Sequence, residues 1–199
     1  MSPAERPDAL PPLYPVALVV AGRRCLVVGG GAVARRKVEG LLACGAQVTV
    51  VAPEVDPELA ALPVTVERRQ YRREDLDGVR LAFAATDDPA VNRAVYDDGE
   101  AAGVWVNAAD QPDACTFVLP AVLRHDPVVV AVSTGGRSPA LARELRDRVA
   151  TVVGPDDAAL ARRLGELRDR LHAEGASTEG VDWEAVIRAE RARPGEGAP

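Results

Sequence analysis

The run Gly29-Gly30-Gly31-Ala32-Val33-Ala34 has the spacing G-x-G-x-x-G/A, with Ala34 in the third small position. Small residues at these places let the backbone turn tightly and bring its N–H groups against a pyrophosphate. A helix opening at the same point adds its positive end. Gly29, Gly30, Gly31, Ala32 and Val33 are therefore the first candidates for holding a dinucleotide. Thr86-Asp87-Asp88-Pro89 is a second candidate site. Asp88 is accounted for as a helix N-cap ahead of Pro89, which leaves Thr86 and Asp87 to line a cofactor cleft. Asp110, at the end of Asn107-Ala108-Ala109-Asp110, is a carboxylate with no capping role, and so a candidate proton acceptor. A second glycine-rich helix entry, Thr134-Gly135-Gly136-Arg137-Ser138-Pro139, combines backbone amides with a guanidinium. It reads both as an anion site and as a helix start capped by Ser138.

These groups need elements to hold them. The apolar run 25–28 predicts a strand leading into the first glycine turn, and Val33, Val38, Leu41 and Leu42 give a helix over 32–44 an apolar side, with Gly45 at its C-terminal end. Further strands are predicted over 47–52, 64–67, 79–85 and 104–107, and a helix from Pro89 to about residue 102. Residues 14–20 also have strand character. This alternation predicts an α/β, Rossmann-type, doubly wound parallel sheet in the order 3-2-1-4-5. It places Thr86 and Asp110 past the carboxyl ends of strands, where such sheets take their ligands.

The pattern changes after Asp110. Strands over 117–124 and 128–133, separated only by a turn at Asp126-Pro127, are expected to pair antiparallel. A helix follows from Pro139 to about residue 152. The next carries Leu160, Leu164, Leu167 and Leu171 on one stripe, and a short one is expected over 184–191. The expected organisation is a dinucleotide-binding domain over 1–115, with a flexible arm over 1–13. A small α+β dimerisation and substrate segment over 116–153 comes next, then a helical region over 154–199 whose tail from Pro194 is disordered.

Bulk properties exclude some functions. The formal net charge of -6 at pH 7 argues against nucleic acid as a partner. The arginine clusters, Arg35-Arg36-Lys37 among them, read mostly as solvated faces. Cys25, Cys44 and Cys115 are scattered, and His125 and His172 are the only histidines, so no permanent metal site is expected. His125 is explained by the turn that follows it. No apolar run is long enough to span a bilayer, and residues 1–13 lack the apolar stretch of a secretory signal, so the expected location is the cytoplasm. NAD sites usually hold the ribose with an acid at the end of the second strand. Here that strand runs into Ala52-Pro53, so Glu54 and the backbone near Pro53 are the candidates. No arginine directly follows this strand to receive a 2′-phosphate, which favours NAD over NADP.

Four segments stand in register: Val27 to Lys37, Ala85 to Asn92, Val106 to Asp110 and Ser133 to Pro139. Together they resemble the precorrin-2 dehydrogenase and sirohydrochlorin ferrochelatase family, stand-alone relatives of the N-terminal half of siroheme synthase. The likeness covers residues 14–152. It implies oxidation of precorrin-2 to sirohydrochlorin with NAD+, and a homodimer in which the region 117–139 crosses between subunits. Part of that family also inserts Fe²⁺ into sirohydrochlorin at the same site, which makes Fe²⁺ a second candidate substrate. The essential aspartate of the family falls on Asp110, where a carboxylate could also guide Fe²⁺ transiently. Thr134 stands where relatives often have serine. For a tetrapyrrole rich in carboxylates, Asn107, Lys37, Thr134, Gly135, Gly136, Arg137 and Ser138 are the candidate substrate contacts. The methyltransferase activity of the fused enzymes is expected on another polypeptide.

Three alternatives differ in function. A non-enzymatic NAD-sensing domain would share the glycine turn, but usually has an acid after the second strand and no loop like 134–139. A dehydrogenase for a small metabolite would need a further substrate domain, and little chain remains for one. An enzyme of the same family could also oxidise without inserting iron.

Overall fold

The computed structural model describes residues 12–192. The tail expected over 194–199, and all but the last two residues of the arm expected over 1–13, lie outside the described residues. The chain divides into two compact units between Leu119 and Pro120.

The first unit is a five-stranded sheet. Its strands are β1 (Arg24–Val28), β2 (Gln47–Val51), β3 (Thr65–Glu67), β4 (Leu81–Ala84) and β5 (Trp105–Ala108), ordered β3-β2-β1-β4-β5 with every pairing parallel. Successive strand residues point to opposite faces, and both faces are covered. Cys25 and Val27 of β1 join one core with Ala34, Val38 and Leu41 of helix α1 (Ala32–Leu42). Leu26 and Val28 join a second core with Val95 of helix α3 (Pro89–Ala102). A strand buried on both faces reads as a continuous apolar run, as Cys25-Leu26-Val27-Val28 does. The short helix α2 (Pro57–Ala60) seals the first core with Leu59, which is fully buried.

The second unit begins with the antiparallel pair β6 (Ala121–His125) and β7 (Val128–Val132), joined through Asp126 and Pro127. Helices α4 (Pro139–Val149), α5 (Pro155–Ala173) and α6 (Trp183–Ala192) follow. On α5, Leu160 is buried and Leu164, Leu167 and Leu171 are half-buried, so the leucine stripe is the packed side.

The sheet order, the parallel pairing and the antiparallel change after Asp110 agree with the sequence reading. Several boundaries do not. Residues 14–20 form no strand and are largely exposed, Tyr14 at 88% and Val19 at 84%. A strand needs a partner, and both sides of β1 are taken by β2 and β4; Pro15 also lacks a donor. The strand expected from Phe117 starts only at Ala121. The Phe117 carbonyl is already taken by the Asn107 side chain, and Pro120 cannot donate to a ladder. Helix α1 stops at Leu42 and α4 at Val149, each shorter than its apolar pattern suggests. Helix α2 and the 3-10 turns Arg73–Leu76 and Pro112–Ala114 were not expected, because segments of four residues or fewer are too short to show a period.

Candidate functional site

The loops after β1, β2, β4 and β5 meet at the carboxyl edge of the sheet. Gly29 N–H donates to the Val51 carbonyl at 2.9 Å, and Asp56 N–H to the Gly30 carbonyl at 2.9 Å. Ala85 N–H reaches the Val28 carbonyl at 2.8 Å, and Ala109 N–H the Ala84 carbonyl at 2.8 Å. This packing explains two glycines. A Cβ on Gly29 would overlap the Ala85 carbonyl, and one on Gly30 the Glu54 carbonyl. Gly29 also sits at φ 128, a conformation that L side chains rarely adopt.

Gly31 differs from both. A Cβ there would meet nothing within 4 Å, so no neighbour in the chain requires glycine. Gly31 is the N-cap of α1, with no side-chain cap and no acidic residue in the first turn of the helix. The leading N–H groups, including those of Ala32 and Val33, are left without side-chain acceptors, and the end of the helix stays positive. Gly31, Ala32 and Val33 are all exposed. The buried Ala34 lets α1 lie close to the sheet. The result is a cradle of the shape and polarity that a pyrophosphate needs.

Beyond β4, Thr86 is held in place. Its N–H and hydroxyl both donate to Asn92 Oδ1, at 3.1 and 2.8 Å, and Asn92 Nδ2 donates to the Thr86 carbonyl at 3.0 Å. Asn92 is only 3% exposed. It is a site residue that sequence reasoning missed, although an asparagine in the first turn of a helix, facing inward, was a usable signal. Asp88 caps α3 through Ala90 N–H, as expected. Asp87 is exposed, with no hydrogen-bond or ion-pair partner among the described residues. Pro53 and Glu54 are exposed on the loop after β2, where Asp56 caps α2 by accepting from Glu58 N–H at 2.8 Å.

Beyond β5, Asp110 is exposed and adopts φ 58. It is the non-glycine residue with positive φ among the described residues. Aspartate tolerates this region better than most side chains, but the conformation still stores strain of the kind that collects at functional sites. The segment 115–117 props up the loop. Thr116 N–H and hydroxyl reach the Val106 carbonyl at 2.8 and 3.1 Å, and Cys115 Sγ contacts the Ala108 and Gln111 carbonyls at 3.3 Å. Asn107 is buried and spends its amide on the Phe117 carbonyl at 3.0 Å, so it serves the loop's architecture. Phe117 in turn packs edge-on against Phe83, with ring centroids 5.4 Å apart.

Lys37 leans over the Phe83 ring, 5.5 Å from its centroid. Burial, with Arg36 adding to it, pulls the Lys37 ammonium below the ordinary lysine range, while Cys115 and Asp110 act in the opposite sense. The structure thus brings Lys37 to the same crevice as Asp110. A concavity of about 810 Å³ lies at the opposite end of the sheet, among Arg24, Gln47 and Thr65 at the starts of strands. Its Arg69 is committed to Asp75, so the open carboxyl edge fits chemistry better than that hollow does.

In the second unit, Gly135 and Gly136 take φ 62 and 77. The Thr134 hydroxyl donates to the Ser138 carbonyl and accepts from Ser138 N–H, both at 3.0 Å, closing the loop on itself. Ser138 caps α4 by accepting from Leu141 N–H at 3.1 Å. Arg137 is exposed, with no side-chain partner among the described residues. No three His, Cys, Asp or Glu side chains gather as a metal-holding group there or elsewhere among the described residues. None of the described helices is long and apolar enough to cross a membrane.

A parallel sheet whose first strand passes through a glycine turn into an uncapped helix defines a Rossmann-type dinucleotide-binding unit. Residues 16–121 match the NAD(P)-binding family, and the chain belongs to that family. Residues 127–151 match the sirohaem biosynthesis protein central family. The chain is 43% identical over 180 residues to the siroheme synthase of Chromobacterium violaceum, covering 87% of this chain and 38% of that protein. It is 44% identical over 187 residues to the siroheme synthase of Pseudomonas putida, covering 89% of this chain and 40% of that one. It therefore spans about two fifths of the length of these relatives. Among solved structures it is similar to SirC, precorrin-2 dehydrogenase, at 29% identity and a TM-score of 0.68, over 90% of this chain and 88% of that one.

Proposed function

We propose that this chain oxidises precorrin-2 to sirohydrochlorin, with NAD+ as the oxidant. The observation that carries the reading is the pairing of an uncapped, glycine-fronted helix with the strained Asp110 at one edge of the sheet. When bound, NAD+ supplies the hydride acceptor. Amides at the start of α1 hold its pyrophosphate, while Thr86 and Asp87 line the cleft and Pro53 and Glu54 lie on the ribose side. Oxidation removes one hydride and one proton from the tetrapyrrole. Asp110 takes the proton. Lys37, Arg137 and the amides of Gly135 and Gly136 bind peripheral carboxylates.

The 116–153 segment serves as the dimerisation region of this enzyme. Val122 and Val129 lie on the outward face of the β6–β7 pair, 40% and 47% exposed, with Arg124 opposite Val129, and exposed valines rimmed by a charge suit a second copy. Light scattering at micromolar concentration should return a dimer; a clean monomer would remove this part of the reading. The work is expected in the cytoplasm. Fe²⁺ insertion into sirohydrochlorin belongs to the same proposal as a second step, with Asp110 as a transient contact and no resident metal.

The test is anaerobic incubation of the protein with precorrin-2 and NAD+, following sirohydrochlorin by absorbance, and then with Fe²⁺. Asp110→Asn keeps size and tolerates positive φ but removes the basicity. Turnover should fall by about 10²-fold or more with NAD+ affinity near normal. Wild-type rates in that variant would take Asp110 out of the mechanism. Loss of oxidation with intact chelation would confine it to the redox step.

A further inference from the structure

Arg35 belongs to a basic cluster that looks like a solvated helix face, yet its guanidinium does not simply run into solvent. It stands in the first turn of α1, four residues after Gly31, whose carbonyl its own N–H engages at 3.0 Å. From there it reaches across to α2 and pairs with Glu58, while Glu39 of its own helix lies 3.8 Å from Nε. Nε is nevertheless a buried donor with no hydrogen bond among the described residues. The loop that carries Glu58 is fixed independently. Asp56 N–H is tied to the Gly30 carbonyl, and the Asp56 carboxylate to Glu58 N–H. The pair therefore occupies a defined place at the carboxyl end of β2. A dinucleotide seated on the Gly29–Gly31 turn puts there the ribose whose 2′ oxygen separates NAD from NADP.

We infer that the Arg35–Glu58 pair sets the choice of this chain between NAD+ and NADP+. The inference rests on reading the glycine turn as a dinucleotide site. Glu58 acts in two ways. It engages the arginine positioned to meet a 2′-phosphate, and its own charge repels that phosphate. Neutral ribose hydroxyls suffer no such repulsion and can donate to a carboxylate. With Glu58 uncharged, the guanidinium loses the carboxylate on α2 and keeps only Glu39, 3.8 Å from Nε. Arg35 then keeps the terminal nitrogens that had engaged Glu58 as a planar fork of donors for a phosphate. Glu58 is mostly exposed, so a substitution there changes charge with little effect on folding.

The experiment is calorimetric titration of NAD+ and NADP+ into the full chain, into Glu58→Gln, and into Arg35→Ala combined with Glu58→Gln. Thermal melts confirm that each variant is folded, and Glu58→Ala serves as a second neutral variant. The wild type should prefer NAD+ by about tenfold or more. Glu58→Gln should tighten NADP+ by about tenfold while NAD+ moves less than about threefold, and adding Arg35→Ala should abolish the gain. An unchanged ratio in both neutral variants, a gain that survives loss of Arg35, or a wild type that prefers NADP+ would overturn the inference. Failure of the wild type to bind either nucleotide would overturn the dinucleotide reading itself, and the inference with it.

Discussion

Two glycine-rich turns lead into helices in this chain, and they solve different problems. At Gly29–Gly31 the first two glycines are demanded by neighbouring carbonyls, and the third by nothing in the protein. The helix behind it has no side-chain cap. At Thr134–Ser138 the glycines are demanded by their own left-handed backbone, and a Cβ on Gly135 would meet open space. There the helix is capped by Ser138, and the loop is closed by Thr134. A helix start that satisfies its own donors needs no ligand. One that leaves them open, behind a turn packed tightly against its neighbours, is organised for something outside the chain. The contrast separates a helix start left open from one closed by its own side chains more sharply than glycine content does.

Gly30→Ala should show the largest effect. The new methyl group would meet the Glu54 backbone, which cannot swing aside as a side chain could, so the loops after β1 and β2 must part. A loss of about 3 kcal/mol of stability is expected by denaturant unfolding, together with loss of NAD+ binding. Gly31→Asp should do the opposite to stability. The site is open, φ is -92, and aspartate is a good N-cap. The melting temperature should hold or rise while NAD+ affinity, by calorimetry, falls about 100-fold as a carboxylate replaces the pyrophosphate at the helix end. If both variants lost stability alike, the two kinds of glycine would not be distinct.

The sheet was legible because its strands are short apolar runs divided by a helical period, and both signals survive burial on two faces. The glycine turn was legible for a related reason: small residues at fixed spacing have few other uses. What could not be read was anything set by a tertiary partner. Residues 14–20 have strand composition but pair with no strand of the sheet. Asn107 looked like a substrate contact, yet its amide supports the Phe117 segment. Asn92 entered only as the end of the segment Ala85 to Asn92, because its role lies in three bonds to Thr86 across a turn. Arg35 read as a solvated charge because Glu58, far off in sequence, gives it a place.

Arg137 should be the point where the second turn does meet a ligand. It is exposed and carries no bond needed by the loop, so Arg137→Gln should leave the melting temperature unchanged. If it binds a carboxylate of the tetrapyrrole, KM for precorrin-2 should rise about tenfold with kcat nearly constant, the signature of lost uniform binding. A matching fall in kcat would mean that the guanidinium acts in the transition state, and an unchanged KM would leave the whole turn structural.

Ser138→Ala should give the smallest effect, and it tests the contrast from the other side. The Ser138 oxygen accepts from Leu141 N–H at the start of α4, so its removal leaves a helix donor to solvent. The cost should be about 1 kcal/mol, a drop of a few degrees in melting temperature. Ser138→Asp restores an acceptor at the same position and should recover that stability, which separates capping from simple loss of a hydroxyl. NAD+ affinity should not move in either variant, because neither alters the glycine turn or the start of α1. If Ser138→Ala instead kept full stability but weakened binding of sirohydrochlorin by more than Arg137→Gln does, the hydroxyl would be serving the ligand. The second turn would then serve a ligand despite its cap.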